Sequence, residues 1–258
     1  MSATAESRAR AVRAMFSAIA PTYDLLNRIL SLGVDVGWRR QMVRRLPSGC
    51  RRVLDLACGT GDVALEIVRQ RPAARVFGAD FALPMLRAGT PKLRRRGAAA
   101  RILLQNASAE DLPYRDATFD AATMAFGIRN VVRRERALAE LHRVLRPGGR
   151  LLILDFSIPR SSGLAALYRV YFHRVLPFVG GLISGNFDAY RYLPRSVEGF
   201  PPRHRFAAMM ARAGFERPRY RDLTFGIATL YEAEKPALPL TAQAPGRTPE
   251  SCIEGSCS

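Results

Sequence analysis

The sequence predicts an α/β protein built on a mostly parallel β-sheet, and two features of the chain support this prediction. Between residues 51 and 156, short runs rich in valine, leucine and isoleucine alternate with amphipathic segments of helical period. Strands that alternate with helices form parallel sheets through right-handed crossovers. Residues 215–234 then contain two strand-like runs joined by a short turn, which predicts an antiparallel close to the sheet.

The elements follow from local patterns. Residues 9–46 carry apolar positions at helical spacing and are interrupted at Pro21 and Gly33, so they predict several helices ahead of the sheet. A Pro-Gly-Gly turn at 147–149 is expected to precede the fifth strand. The predicted strands are 51–57, 74–80, 100–107, 118–127 and 150–156, and the predicted helices are 62–71, 83–97, 135–145 and 204–213.

Three regions are expected from these elements. Residues 1–46 form N-terminal helices over the binding site, and residues 47–235 form the main domain. Within that domain, residues 157–200 are an insertion too apolar and aromatic for a solvated loop, which predicts a helical cover on the substrate side. Residues 236–258 are poor in core-forming side chains and predict a disordered tail.

Composition excludes several classes of protein. The formal net charge is +18, but all of the 40 basic residues except Lys92 and Lys235 are arginines spread along the chain, without a nucleic-acid-binding motif. We therefore expect no nucleic-acid partner, whereas a weak preference for a membrane surface and self-association stay open. The chain has no apolar run long enough to span a bilayer and no secretory leader, so a cytoplasmic location is expected. Its four cysteines lack metal-ligand spacing, which predicts no metal site.

Residues 53–64, VLDLACGTGDVA, carry the main functional motif. Gly59 and Gly61 predict a tight turn between a strand and a helix, where a ligand can approach the backbone closely. The spacing also satisfies a dinucleotide fingerprint, but Asp62 in the first helical turn would repel a pyrophosphate. Asp55, inside the preceding strand, needs a positive partner. S-adenosyl-L-methionine has no phosphate and carries an ammonium group, which Asp55 can bind directly or through water.

Acidic and small residues at later strand ends complete the predicted cofactor site. Asp80 ends the second strand, about 20 residues beyond the glycine turn, where a carboxylate binds ribose hydroxyls. A helix-capping role is the alternative for Asp80. Ser108 and Ala109 lie after the third strand, where an adenine ring is expected, and Asp111 could accept a hydrogen bond from its amino group.

These residues resemble class I S-adenosylmethionine-dependent methyltransferases, and more narrowly the C-methyltransferases of ubiquinone and menaquinone biosynthesis, the UbiE/MenG family. The resemblance extends from about residue 16 to 232 and is most specific in FGIRNV at 126–131 and in YDLLN at 23–27. Further matching motifs are VLDLACGTGD, LHRVLRPGGRLLILDFS, YLPRSV and GIATLYEA.

The resemblance implies a seven-stranded Rossmann-like class I methyltransferase sheet with an antiparallel last strand. It implies that Thr60, Asp80, Ser108 and Ala109 contact the cofactor. It also implies methyl transfer to a ring carbon of a polyprenylated hydroquinone. Demethylmenaquinol is favoured, because residues 78–86, GADFALPML, are typical of menaquinone-type members. The alternatives are 2-methoxy-6-polyprenyl-1,4-benzoquinol, another small hydrophobic acceptor such as a sterol or polyketide, or a non-enzymatic binding module.

The chemistry predicts the catalytic residues. A phenol that loses its proton places electron density on the ortho carbon, so the enzyme must stabilise an oxyanion and align two reactants. The FGIRN segment follows the fourth strand, at the edge where such sheets build their sites. We expect Arg129 to lower the phenol pKa, in part through water, and Asn130 to hydrogen-bond the oxygen. Tyr23 is expected to line the methyl-transfer channel, or else to serve in packing.

Overall fold

The computed structural model describes residues 3–20, 23–31, 33–175, 178 and 187–237. The chain begins with helices α1 (Ala3–Ile19), α2 (Tyr23–Leu30) and α3 (Val34–Arg44). The alternating part runs through β1 (Arg52–Leu56), α4 (Asp62–Gln70), β2 (Arg75–Asp80), α5 (Leu83–Arg95), β3 (Ile102–Asn106), β4 (Phe119–Ala125), a 3-10 turn (Ile128–Asn130), α6 (Arg134–Val144) and β5 (Leu145–Phe156). It is followed by α7 (Ser162–Val170), a π-helical segment (Tyr171–Val175), α8 (Phe187–Glu198), α9 (Arg203–Arg212), β6 (Glu216–Leu223), a second 3-10 turn (Thr224–Gly226) and β7 (Ala228–Glu234).

The strands form one seven-stranded sheet in the order β3-β2-β1-β4-β5-β7-β6. β7 runs antiparallel to both neighbours, β5 and β6, and the other strand pairs are parallel. Six strands therefore point the same way, and the predicted mostly parallel sheet with an antiparallel last strand is confirmed. The strand order reverses between β1 and β4, which is where open α/β sheets bind ligands at their carboxyl edge.

Helices cover both faces of the sheet, which explains why its central strands are apolar throughout. On one face, Val53 of β1 packs with Trp38 of α3 and Ile67 of α4. On the other face, Leu138 of α6 and Phe206 of α9 are fully buried against the strands. Each such side chain stabilises the fold by about 1.5–3 kcal/mol relative to an exposed position.

The fifth strand differs from its prediction. β5 begins at Leu145 rather than at residue 150, so the predicted Pro-Gly-Gly turn lies inside the strand, between the paired residues Leu145 and Arg150. Its glycines still produce an irregularity, because Gly148 has a φ of +73° and the pairing with β4 shifts register between Phe119 and Ala121. The Pro-Gly-Gly segment therefore bends the strand instead of ending it.

The predicted insertion contributes helices next to the N-terminal segment. Tyr168 of α7 and Val197 of α8 pack with Ile19 of α1. Residues 176–177 and 179–186 of the insertion, and the predicted tail from residue 238 onward, lie outside the described residues. The division into three regions therefore stays a prediction.

Candidate active site

A cavity of about 220 Å³ opens at the carboxyl edge of the sheet, beneath α1 and α2. Its floor is built from the ends of β1, β2 and β4 and from the turns that follow them. Six of the ten predicted site residues line it, namely Tyr23, Gly59, Asp80, Ser108, Ala109 and Asn130, whereas Asp55, Thr60, Gly61 and Arg129 do not.

The glycine turn shapes one end of this cavity. Gly59 has a φ of +55° and Gly61 a φ of +85°, values that glycine adopts without steric cost. A Cβ on Gly59 would lie 3.2 Å from Cε of Met85 and 3.9 Å from Cε1 of Tyr23, and so would enter the cavity. Gly61 instead precedes α4 as its N-cap residue. The first glycine thus leaves room for a ligand, and the second permits the change of direction.

Asp80 holds the glycine turn from the end of β2. Its Oδ2 accepts the backbone N–H of Gly59 at 2.8 Å, and its Oδ1 accepts that of Ala82 at 2.8 Å. Burial raises the pKa of this carboxyl group, which is 5% exposed. Each carboxylate oxygen has a second lone pair. Asp80 can therefore support the turn preceding α5 and still accept ribose hydroxyls, so its two predicted roles are compatible.

Lys92 of α5 connects the glycine turn to the N-terminal helices. Its Nζ donates to Oδ2 of Asp24 at 2.6 Å, to Oγ1 of Thr60 at 2.9 Å and to Oδ1 of Asp62 at 2.8 Å. The Thr60 hydroxyl donates in turn to Oδ1 of Asp24 at 2.5 Å. The Thr60 hydroxyl is thus already hydrogen-bonded to Asp24 and Lys92 within the protein. The predicted contact of Thr60 with the cofactor stays a prediction.

Asp55 is not among the residues that line the cavity. It shares a face of β1 with Val53 and is 1% exposed. Its Oδ1 accepts the hydroxyl of Thr123 at 2.9 Å, whereas its Oδ2 is buried without a hydrogen-bond partner. Burial raises the pKa of Asp55 to about 7, and the Thr123 hydrogen bond opposes that rise. Of the two predicted contacts with a ligand ammonium, this position favours the water-mediated one.

The turn after β3 forms the other end of the cavity. Ser108 and Ala109 line it, and the Ser108 hydroxyl accepts the backbone N–H of Glu110 at 3.2 Å. Their contact with an adenine ring stays a prediction. Glu110 also lines the cavity and pairs with Arg133, whose Nε lies 2.6 Å from its Oε2. Asp111 is absent from the lining, so Glu110 is the acidic residue of this turn that borders the cavity.

Arg129 is buried behind the cavity. Its Nη1 donates to Oδ1 of Asp155 and to the carbonyl oxygen of Phe126, both at 2.6 Å, and its Nε donates to Oγ of Ser196 at 3.3 Å. The guanidinium carbon lies 5.3 Å from the centre of the Phe156 ring. From this position Arg129 can reach an acceptor oxygen only through an intervening group, which agrees with the water-mediated form of the prediction.

Asn130 and Tyr23 line the cavity, and their predicted catalytic roles stay predictions. The Asn130 Nδ2 makes a long hydrogen bond of 3.4 Å to the carbonyl oxygen of Phe126, and its Oδ1 is buried without a hydrogen-bond partner. The Tyr23 ring packs edge-on against Phe16, with ring centres 6.2 Å apart. The neighbouring residues Arg129 and Asn130 therefore point into different environments.

Sequence reasoning missed much of the apolar wall. Phe16, Phe81, Met85 and Val131 line the cavity, yet each belongs to a pattern common to ordinary helices and turns. The position of Lys92 was missed too. One available signal was its rarity, since the chain has only two lysines.

The residues present fit S-adenosylmethionine. The glycine turn leaves a cradle without a side chain, Asp80 offers oxygens for a ribose, and the walls are mainly apolar. Beside the turn, Asp24 pairs with Lys92, and Asp62 pairs with both Lys92 and Arg39, so these carboxylates are already neutralised within the protein. Within the described ranges, no group of three or more histidine, cysteine or acidic side chains is arranged to hold a metal ion.

Solved structures share this fold. The chain resembles the [4+2]-cyclase SpnF, with a TM-score of 0.66 and 18% identity over 88% of this chain and 95% of that one. It also resembles an S-adenosylmethionine-dependent methyltransferase from Thermotoga maritima, with a TM-score of 0.59 and 21% identity over 86% of this chain and 99% of that one. Because the two differ in chemistry, these likenesses establish architecture rather than activity.

Closer relatives narrow the assignment. A demethylmenaquinone methyltransferase from Thermus thermophilus is 55% identical over 86% of this chain and 100% of its own length. A ubiquinone/menaquinone biosynthesis C-methyltransferase UbiE from Syntrophotalea carbinolica is 56% identical over 85% of this chain and 92% of its own. The model of the ubiE/COQ5 methyltransferase family matches residues 2–235. The chain therefore belongs to the ubiE/COQ5 methyltransferase family and is an S-adenosylmethionine-dependent C-methyltransferase.

Proposed function

We propose that this enzyme methylates a ring carbon of a polyprenylated hydroquinone, and that its acceptor is demethylmenaquinol. The observation that carries the proposal is that the mainly apolar wall of the cavity contains one side-chain amide, that of Asn130, whose oxygen has no hydrogen-bond partner. This Oδ1 is buried, and Asn130 lines the cavity together with apolar residues such as Val131 and Met124. A quinol ring needs such an environment, because its ring is apolar and each hydroxyl needs a single polar partner.

Asn130 would fix the ring by accepting a hydrogen bond from one hydroxyl. This contact restricts the rotation of the acceptor and holds the neighbouring ring carbon towards the glycine-turn end of the cavity. When bound, the cofactor supplies the methyl group. Tyr23 closes the cavity from α2, and with Phe16 it keeps water away from the reacting atoms.

Arg129 would act on the acceptor oxygen through water. Its charge is offset by Asp155, so its field at the cavity is weaker than that of an unpaired guanidinium. Its hydrogen bond to the Phe126 carbonyl also fixes the segment that carries Asn130. The proposal therefore assigns Arg129 both the lowering of the phenol pKa and the placement of Asn130.

The choice of a naphthoquinol rests on two supports. The relative from Thermus thermophilus, which this chain covers from end to end, carries the demethylmenaquinone name. The segment GADFALPML around Asp80 resembles that of menaquinone-type members of the family. Other relatives are named for both pathways, so the benzoquinol is the second candidate.

A methyl-transfer assay tests the proposal. The purified enzyme receives S-adenosylmethionine with a labelled methyl group and, in separate reactions, demethylmenaquinol or 2-methoxy-6-polyprenyl-1,4-benzoquinol. Mass spectrometry should find the label on a ring carbon of the naphthoquinol. Label in the benzoquinol alone would overturn the naphthoquinol assignment, and label in neither would overturn the quinol assignment.

A pair of variants tests the role of Asn130. Asn130→Ala should slow the transfer roughly a hundredfold, as expected when one polar contact to the reacting oxygen is lost. Gln105→Ala, which removes an exposed amide from β3, is the matched control and should be unaffected. Normal turnover by Asn130→Ala would refute the proposed contact.

A further inference from the structure

Phe225 occupies an unusual position between β6 and β7. Its side chain is 83% exposed and its backbone is left-handed, with a φ of +57°. Thr224 before it and Gly226 after it are left-handed too, with φ values of +45° and +90°. A bulky residue disfavours this conformation, and an aromatic ring disfavours exposure to water. Both unfavourable features fall on one residue, which points to a partner that receives the ring.

The loop that carries Phe225 is firmly held. The indole Nε1 of Trp38 donates to Oγ1 of Thr224 at 2.8 Å. The carbonyl oxygen of Gly226 accepts the Ser157 hydroxyl at 2.8 Å and Nη2 of Arg203 at 3.0 Å. These contacts anchor both ends of the loop on α3, α9 and the end of β5. Phe225 is therefore presented outward by a fixed backbone.

Basic residues precede the loop on β6, which forms one edge of the sheet. Arg219 and Arg221 are exposed and point to the same face of the strand as Leu223. No ion pair found among the described residues uses either arginine. Charged side chains on an edge strand discourage pairing with other chains, which could explain the arginines. That explanation does not account for the exposed Phe225.

The loop lies on the same side of the molecule as the cavity. Since β6 runs parallel to β1, its carboxyl end and the glycine turn share one edge of the sheet. The Trp38 ring, which holds the loop, lies 6.3 Å from the ring of Phe126, and Phe126 lines the cavity. A surface bound by the loop would therefore lie along the edge that opens to the cavity.

We propose that the surface formed by Phe225, Arg219 and Arg221 docks the enzyme on an anionic phospholipid bilayer. Phe225 would insert between the lipids, and the two arginines would pair with lipid phosphate groups. Two features favour lipid over protein: the strong positive charge of the chain, and a single protruding ring in place of a broad apolar patch. The proposed contact is peripheral. In the described parts of the chain no helix is long and apolar enough to cross a membrane. The proposal does not depend on which quinol is methylated.

Vesicle co-sedimentation tests the inserted ring. The full chain should bind vesicles of phosphatidylglycerol and phosphatidylcholine, and bind vesicles of phosphatidylcholine alone much less. Phe225→Asn should reduce binding about tenfold or more, because asparagine tolerates the left-handed backbone but removes the ring. Tyr220→Ser removes a partly exposed ring from the opposite face of β6 and should leave binding within about twofold.

The charges are tested in the same way. Arg219→Ser with Arg221→Ser should weaken binding about tenfold or more at low salt, and the loss should shrink as salt is added. Arg94→Ser with Arg95→Ser removes two exposed arginines from α5 and is the matched control.

Three results would overturn the proposal: equal binding to both vesicle types, unchanged binding by Phe225→Asn, or equal losses from the two arginine pairs. Dimerisation without vesicles that Phe225→Asn abolishes would instead identify a second copy of the chain as the partner. Methyl transfer to a short-chain quinol without vesicles should be unchanged in Phe225→Asn, which shows that the variant is folded.

Discussion

Arg129 and Asp155 form a buried ion pair next to the turn that carries Asn130, with Nη1 and Oδ1 2.6 Å apart. Asp155 is fully buried at the end of β5, and Arg129 is 7% exposed in the turn after β4. Asp155 Oδ2 also accepts the backbone N–H of Arg129 at 3.2 Å. One carboxylate thus holds both the backbone and the side chain of the residue that precedes Asn130.

Asp155→Asn should destabilise the fold strongly, because it leaves the Arg129 charge buried without its counter-ion. Loss of one partner of a buried pair costs about 3–5 kcal/mol. Urea unfolding of the wild type and the variant measures this cost. Adding Arg129→Met to Asp155→Asn should recover part of the stability, since the unpaired charge is gone. A double variant less stable than Asp155→Asn would contradict this account.

Arg129→Ala should lower the methyl-transfer rate about a hundred- to thousandfold, the range for loss of one oxyanion-stabilising group. Affinity for S-adenosylhomocysteine should stay within a few fold of the wild type, because Arg129 does not line the cavity. Higher pH should partly restore the rate, since more of the phenol ionises unaided. Arg129→Lys should also be impaired, because lysine lacks the planar fork.

Arg160→Ala removes an exposed, ion-paired arginine and serves as the control for Arg129→Ala. A rate loss in Arg129→Ala without recovery at high pH would limit Arg129 to positioning Asn130. Near-normal turnover would exclude both roles.

Asp55→Asn should become more stable than the wild type as pH rises. The pKa of Asp55 is about 7 in the folded protein, against an ordinary value near 3.8, so the folded state retains its proton while the unfolded state loses it. Ionisation of Asp55 therefore lowers the stability of the wild type between about pH 4 and pH 7, by up to about 4 kcal/mol. Melting temperatures of both proteins from pH 5 to pH 8 should diverge. Parallel curves would show that Asp55 ionises normally.

Asp80→Ala should weaken the binding of S-adenosylhomocysteine by about 1–3 kcal/mol, through loss of charge-assisted hydrogen bonds to the ribose. Titration calorimetry measures this loss. The affinity of Asp80→Asn should lie between those of the wild type and Asp80→Ala, because asparagine keeps one oxygen acceptor for the backbone N–H of Gly59 or Ala82. Asp116→Ala, at an exposed aspartate, is the control. Full affinity in a folded Asp80→Ala would limit Asp80 to supporting the turn.

Lys92→Met should weaken cofactor binding several-fold and lower the melting temperature. It removes three hydrogen bonds and leaves the carboxylates of Asp24 and Asp62 without their shared ammonium group. The other lysine of the chain offers a matched control, because Lys235 donates to the carbonyl oxygens of His142 and Leu145, which do not line the cavity. Lys235→Met should lower stability without changing affinity. Equal affinity losses in both variants would argue against a specific link between Lys92 and the site.

The sequence by itself determined the order of the elements, the strand-turn-helix at Gly59 and Gly61, and the acidic end of β2 at Asp80. These features depend on interactions within short segments. Apolar periodicity selects helix or strand, and a left-handed turn selects glycine wherever the rest of the fold places it. The early start of β5 escaped prediction because Gly148 and Gly149 favour a turn locally, whereas Leu145, ahead of that turn, pairs with Phe119 of the distant strand β4.

Only the tertiary structure decided which polar side chains reach the cavity. Arg129 and Asn130 are adjacent in the chain, yet Arg129 turns towards Asp155 and Ser196, which lie 26 and 67 residues further on, while Asn130 faces the cavity. Lys92 likewise meets Asp24 across 68 residues of sequence. A buried charge must find its counter-ion wherever the fold brings one near, because leaving it unpaired costs several kcal/mol, on the order of the net stability of a domain. The direction of these side chains is therefore set by contacts between distant segments, which no local pattern in the sequence encodes.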